Sequence, residues 1–200
     1  MYEQGVIRPP SEASSLLIRV TRNCPWNQCL FCPAYKGVKF SKRTVEEVKK
    51  DIDSMAAELS RYSSVRTAFL QDADSLILPA NDLETILNYL KEKFPKIDRI
   101  TTYARARTLS HKSVDDLKRL KQAGLTRIHT GMESGSERVL QMIKKGMTPE
   151  EVVTGGRHVM EAGIELSEYV MPGVAGQALS EEHAIRQQNC LTSSSLILFG

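Results

Sequence analysis

The sequence predicts an α/β protein in which strand, loop and helix alternate about five times and curl into a partial (β/α)6 barrel. Three observations predict it. Short apolar, β-branched runs recur along the chain, and each leads through a loop to a segment with apolar residues three and four positions apart. Parallel strands need a long crossover between them, and a helix in every connection supplies one. The length, 200 residues, suits one domain but falls short of the roughly 250 typical of a complete eight-unit barrel.

The elements follow in order. "SSLLIRVTR" (residues 14–22) is a buried strand that runs straight into the cysteine-rich "NCPWNQCLFC". In "RTVEEVKKDIDSMAAELSRY" the residues Val45, Val48, Ile52, Met55 and Leu59 share one face, Thr44 is the expected N-cap, and Glu46 and Glu47 favour the first turn. A strand is expected around residues 65–70, then a helix over "NDLETILNYLKEKF" capped by Asn81 or Asp82. "DRITTYARA" reads as a strand, "SVDDLKRLKQAG" as a helix ended by Gly124, and "LTRIHTGMESG" as a strand with a Gly-rich turn. "SERVLQMIKKG" and "TPEEVVTGGRHVMEAG" are helical, with Pro149 in a first-turn position where its missing N–H costs little. "IELSEYVMPGVAG" is the fifth strand and its loop, "SEEHAIRQQNCL" a helix, and "SLILF" the start of a sixth strand. Ligands bind at the carboxyl ends of such strands, so the cysteine loop and residues 71–74, 103–107, 131–135 and 171–176 are expected at one mouth.

A composition of 41% hydrophobic and 26% charged residues argues against disorder, fibres or a coiled coil. A formal charge of +3 is too small to indicate nucleic-acid binding. No apolar run approaches the roughly 18 residues of a membrane span, and no basic-then-apolar leader opens the sequence. A cytoplasmic protein without a membrane partner is expected.

Three of the four cysteines, Cys24, Cys29 and Cys32, fall within nine residues. Such clustering points to metal or redox chemistry in a reducing compartment. Structural zinc usually takes two ligand pairs; Cys29 and Cys32 make one, and His111, His129, His158 and His183 are scattered without ligand spacing. A cubane [4Fe–4S] cluster normally takes one thiolate per iron, so three would leave one iron open to a small molecule. Cys190 reads as an isolated thiol, His129 as a histidine satisfied within the sheet, and Arg19, Arg22, Lys36, Lys39, Lys42 and Arg43 as a solvated basic face. Pro25, Trp26 and Pro33 are suited to stiffening and shielding the cysteine loop.

C-x4-C-x2-C after a first strand, with Phe31 before the third cysteine, resembles the radical S-adenosylmethionine (SAM) superfamily, whose usual spacing is one residue shorter in the first gap. "GMESGSERVLQMIKKG" and "KFSKRTVEEVKKDI" are similar to segments of its coproporphyrinogen dehydrogenase and Elongator-like branch. The resemblance covers residues 16–176 and implies a partial barrel of the radical SAM type: an N-terminal arm over residues 1–15 and a core domain over 16–200, incomplete at its C-terminal end because the family continues beyond the sixth strand. That leaves open that the 200-residue form is inactive.

The same resemblance implies a [4Fe–4S] cluster on Cys24, Cys29 and Cys32, with SAM chelating the fourth iron. A reduced cluster would cleave SAM and release a 5′-deoxyadenosyl radical. It places Phe31 near adenine, Glu133 on the ribose, Ser134 in a close backbone approach, Gly173 in the loop beside adenine and Arg105 on the methionyl carboxylate. The family commonly has a Gly-Gly-Glu turn after the second strand of the barrel; here "QDADS" leaves Gln71 and Asp72 to receive the methionyl ammonium. An electron donor such as flavodoxin or ferredoxin is implied, and no substrate is. Two alternatives remain: a zinc- or cluster-stabilised binding module without SAM chemistry, and an RNA-modifying enzyme of the Elongator-like kind.

Overall fold

A computed structural model of the chain describes residues 2–59 and 65–193. In chain order the elements are β1 (Leu16–Arg19), β2 (Thr21–Arg22), β3 (Ser41–Lys42), α1 (Val45–Leu59), β4 (Thr67–Gln71), α2 (Ala80–Lys93), β5 (Arg99–Tyr103), α3 (Ala106–His111) and α4 (Val114–Ala123). They continue as β6 (Leu125–Glu133), α5 (Glu137–Met142), α6 (Pro149–Glu161), β7 (Glu165–Val170) and α7 (Ser180–Ser193).

Strands β1, β4, β5, β6 and β7 form one parallel sheet in that order. Each neighbour follows its predecessor without a reversal of direction, and this separates a winding barrel from a doubly wound open sheet, whose order reverses at a switch point. The fold is therefore the partial barrel that the alternation predicts. The sixth strand expected over "SLILF" lies outside the described residues. β2 and β3 make a small antiparallel ribbon of their own. It was not expected, and it matters because it brackets the cysteine segment and brings residues 22 and 41 together.

Both faces of the sheet are filled, so β4 is buried at Ala68, Phe69 and Leu70 alike. On the helix side Ile18, Leu70, Ile100 and Ile128 meet Val48, Ile52 and Met55 of α1 and Leu83, Ile86 and Leu90 of α2 in one core. Those α1 residues lie three and four apart, as the sequence pattern requires. Inside the barrel, Phe69 meets Tyr103 edge to face at 5.2 Å, and His129 stacks on Tyr169 at 5.9 Å. A second cluster around Met132, Leu140, Ile143 and Met147 seats the α5–α6 connection beside the end of β6.

Local signals explain most helix ends. Thr44 and Glu47 cap each other's backbone N–H at 3.1 and 2.8 Å, and Thr148 and Glu151 form the same box ahead of Pro149. Ser113 accepts from the Asp116 N–H, and Gly124 ends α4 at φ 117°. Two helix starts differ from expectation. The N-cap position of α2 is Pro79, while Asn81 sits in the first turn with its side-chain oxygen taken by Arg119 at 2.6 Å. α3 is not anticipated by the sequence, where "DRITTYARA" reads as strand through Ala106 and "ARTLSH" carries no cap of its own. Its acceptor comes from Asp74 after β4, which receives the Arg105 N–H at 3.3 Å and the Thr108 hydroxyl at 2.6 Å.

Candidate cluster and cofactor site

The three thiols line one cavity of about 230 Å3 at the carboxyl ends of the strands. None is in a disulfide. The other walls come from the barrel: Ala73 after β4, Tyr103, Ala104 and Arg105 at the end of β5, Gly131 and Glu133 of β6, and Tyr169 of β7. Of the five loops expected at the mouth, residues 171–176 contribute no lining residue.

The cysteine loop is seated on the α5–α6 connection, residues 143–147. Leu30 N–H donates to the Ile143 carbonyl at 3.0 Å, and the Trp26 indole N–H donates to the Lys144 carbonyl at 2.7 Å. Arg105 donates to the Gly146 carbonyl at 2.9 Å and lies over the Trp26 ring at 5.5 Å. Gly146 has φ 67°, and a Cβ there would stand 2.6 Å from Trp26 Cδ2 and nearer still to two other ring atoms. Only glycine lets the indole lie flat on this backbone.

Glu133 holds φ 60° at a register shift between β6 and β7. Left-handed backbone at a bulky non-glycine residue is uncommon and stores strain. The conformation places the carboxylate in the cavity, where Lys145 Nζ pairs with it at 2.7 Å. Lys145 also lies 5.4 Å from the centre of the Phe31 ring. In the sequence Lys145 shows only as one of a basic pair after α5. Burial pushes the Cys29 thiol up, and the Lys145 and Arg105 charges oppose this.

The remaining expected contacts sit differently. Gln71 and Asp72 are buried outside the cavity lining. Gln71 Oε1 accepts the Gly5 N–H at 2.9 Å, and the Asp72 carboxylate is engaged by Arg19, Asn23 and Tyr35. Ser134 is buried with its hydroxyl 2.8 Å from His183 Nδ1. Gly173 takes φ 81° in open space.

Two groups of residues differ from the sequence expectation. Three of the six basic residues are not a solvated face: Arg19, Arg22 and Arg43 converge on Glu3, and Arg43, buried, pairs with Asp51 at 2.7 Å. An acidic residue 16 or more positions away neutralises them, which local reading does not register. His129 is only half satisfied. Its Nδ1 lies 3.3 Å from the Tyr169 hydroxyl, whereas Nε2 has no hydrogen bond among the described residues and faces Glu12 at 3.8 Å.

The donor set fits a cluster better than a lone ion. Among the described residues no three His, Cys, Asp or Glu side chains converge to hold a single metal ion. Three thiols serving three separate irons of a cubane need not converge on a point, whereas zinc ligands must. A larger cavity, about 650 Å3, lies between α5, α6 and α7, but its walls are opposed charges such as Arg138, Glu150 and Arg157, and it holds only Cys190 of the four thiols.

Comparison with known proteins identifies the family and the fold. The family model described as "Radical SAM superfamily" matches residues 18–187. An uncharacterized methyltransferase of Pyrococcus horikoshii is 28% identical over 153 residues, covering 74% of this chain and 30% of that one. Among solved structures, the cobalamin-dependent SAM radical enzyme OxsB, with aqua-cobalamin and SAM bound, matches at a TM-score of 0.68 and 23% identity over 88% of this chain and 26% of its own. Coproporphyrinogen III oxidase (HemN) from Escherichia coli matches at 0.62 and 16% identity, covering 90% and 41%. The chain spans less than a third of the length of the curated relatives it matches.

Proposed function

The chain belongs to the radical SAM superfamily, and from that premise we propose that its barrel mouth binds a [4Fe–4S] cluster on Cys24, Cys29 and Cys32 and cleaves SAM reductively to methionine and a 5′-deoxyadenosyl radical. The observation that carries this reading is the meeting of three unbridged thiols, Glu133 and two cationic side chains in one cavity. When bound and reduced, the cluster supplies one electron to the sulfonium.

The chain's own residues do the placing. Glu133 offers carboxylate oxygens to ribose hydroxyls, and Lys145, paired with it at 2.7 Å, holds that carboxylate in the cavity. Arg105, anchored on the Gly146 carbonyl, keeps its remaining donors for a methionyl carboxylate. Phe31 and Trp26 cover the thiols with apolar surface and exclude water, which limits side reactions of a radical. Tyr103 and Tyr169 also line the cavity. A flavodoxin- or ferredoxin-type donor supplies the electron.

Anaerobic reconstitution tests the proposal. About four irons per chain, with 5′-deoxyadenosine released on dithionite reduction, are expected, and a Cys29→Ser variant should retain the fold while losing the iron. Tight zinc with no SAM cleavage would overturn it. The relative named a methyltransferase favours a second reading, in which SAM serves a methyl transfer. Label from methyl-labelled SAM would then appear in a product.

A further inference from the structure

The geometry points to Asp72 as the residue that positions the three thiols, by fixing both ends of the cysteine loop with one buried carboxylate. This deepens the function proposed above and rests on it for what the thiols hold. Asp72 follows β4, takes φ 70°, and its side chain is 0% exposed. Its Oδ2 accepts the backbone N–H of Asn23, one residue before Cys24, at 3.1 Å. Its Oδ1 accepts the hydroxyl of Tyr35, three residues after Cys32, at 3.2 Å. Arg19 at the end of β1 closes the set, donating to Oδ2 at 2.6 Å.

Each partner is itself held. Arg19 also reaches Glu3 and the side-chain oxygen of Asn23, and Tyr35 is 2% exposed. The N-terminal arm covers the carboxylate so closely that a Cβ on Gly5 would lie 2.7 Å from Oδ1. β2 and β3 draw the loop's outer ends together, and Asp72 ties the loop to the barrel rim inside that bracket. With three donors on it and no exposed surface, this carboxylate is occupied as a clamp. A buried carboxylate suits the task because its two oxygens can take a charged and a neutral donor at once.

Hydrogen exchange on the cluster-free protein tests the clamp directly. In Asp72→Ala, amides of residues 23–35 should exchange about tenfold faster or more, since charge-assisted buried bonds are lost, while β5 and β6 keep wild-type protection. Tyr35→Phe removes one tie and leaves Arg19 and Asn23 in place, so a smaller rise confined to the C-terminal half of the loop is expected. Asp72→Asn should fall between wild type and Asp72→Ala. In reconstituted protein, Asp72→Ala should also lose iron to a chelator faster than wild type and show an altered EPR line shape on reduction. Unchanged loop exchange in Asp72→Ala, or a rise shared equally by β5 and β6, overturns the clamp. If wild type takes up no cluster, the function proposed above fails, and the exchange data on cluster-free protein still decide the role of Asp72.

Discussion

Replacing Gly146 by alanine probes how the cysteine loop is seated, and its magnitude can be worked from the contacts. Gly146 sits at φ 67°, where an L-residue costs about 1–2 kcal/mol more than glycine. The new Cβ would fall well under 3.0 Å from the Trp26 ring, a separation that real Cβ atoms essentially never show. Keeping the indole in place would add an overpacking cost of about 1–3 kcal/mol. Releasing it forfeits one hydrogen bond, to the Lys144 carbonyl, worth about 1 kcal/mol. It also forfeits the Arg105 contact, worth about 0.5–1 kcal/mol at an exposed site. The two routes cost similar amounts, so Gly146→Ala should destabilise the protein by about 2–4 kcal/mol and loosen the loop. Trp26 is the sole tryptophan, so intrinsic fluorescence reports on this contact alone. The expected result is emission displaced to longer wavelength, a lower urea midpoint and an unchanged far-UV spectrum. A variant with wild-type emission and midpoint would refute the reasoning.

Other outcomes follow from single groups. The Glu168 carboxylate oxygens are buried without a hydrogen-bond partner among the described residues, and burial raises its pKa from the ordinary 4.5 to about 8. The folded chain therefore keeps a proton that the unfolded chain releases, and stability should fall as pH rises towards 8. Burial also holds Asp74 up to about 6 and His129 below its usual range. Both act between pH 6 and 8, so comparison with Glu168→Gln isolates Glu168: by urea midpoint the wild type should lose more stability over that range than the variant, and an equal slope in both proteins would refute the assignment. Glu133→Gln should weaken SAM binding to the reconstituted protein by about tenfold or more, read by calorimetry, and unchanged affinity would remove Glu133 from the ribose site. Thr148→Ala breaks the capping box of α6 and should cost about 1 kcal/mol in the denaturation midpoint, with iron uptake unaltered.

The strands and most helices were legible because their signals are local. An apolar face on α1, a box at Thr148 and Glu151, and a left-handed Gly124 are each decided within about four residues. The two missed elements show where that stops. α3 takes its N-terminal acceptor from Asp74, 31 residues before Arg105. The β2–β3 ribbon pairs residues about 20 apart in sequence and has too few residues to leave a pattern. The site divides in the same way. Cys24, Cys29, Cys32 and Glu133 stood out by spacing and by their position at strand ends, whereas Lys145 looked like one of two adjacent surface lysines until the end of β6 was placed beside it.

The sequence alone determined the βα alternation, the family resemblance and the identity of the three thiols, because periodicity and motif spacing are properties of neighbouring residues. Only the tertiary structure decided how those thiols are held. The order β1-β4-β5 sets Arg19 beside Asp72, and the packing of α5 against β6 lays residues 143–147 under Trp26 and Leu30. Those contacts join positions 53 to 118 residues apart. A parallel sheet brings such distant residues into register through its strand order, and no local pattern records it.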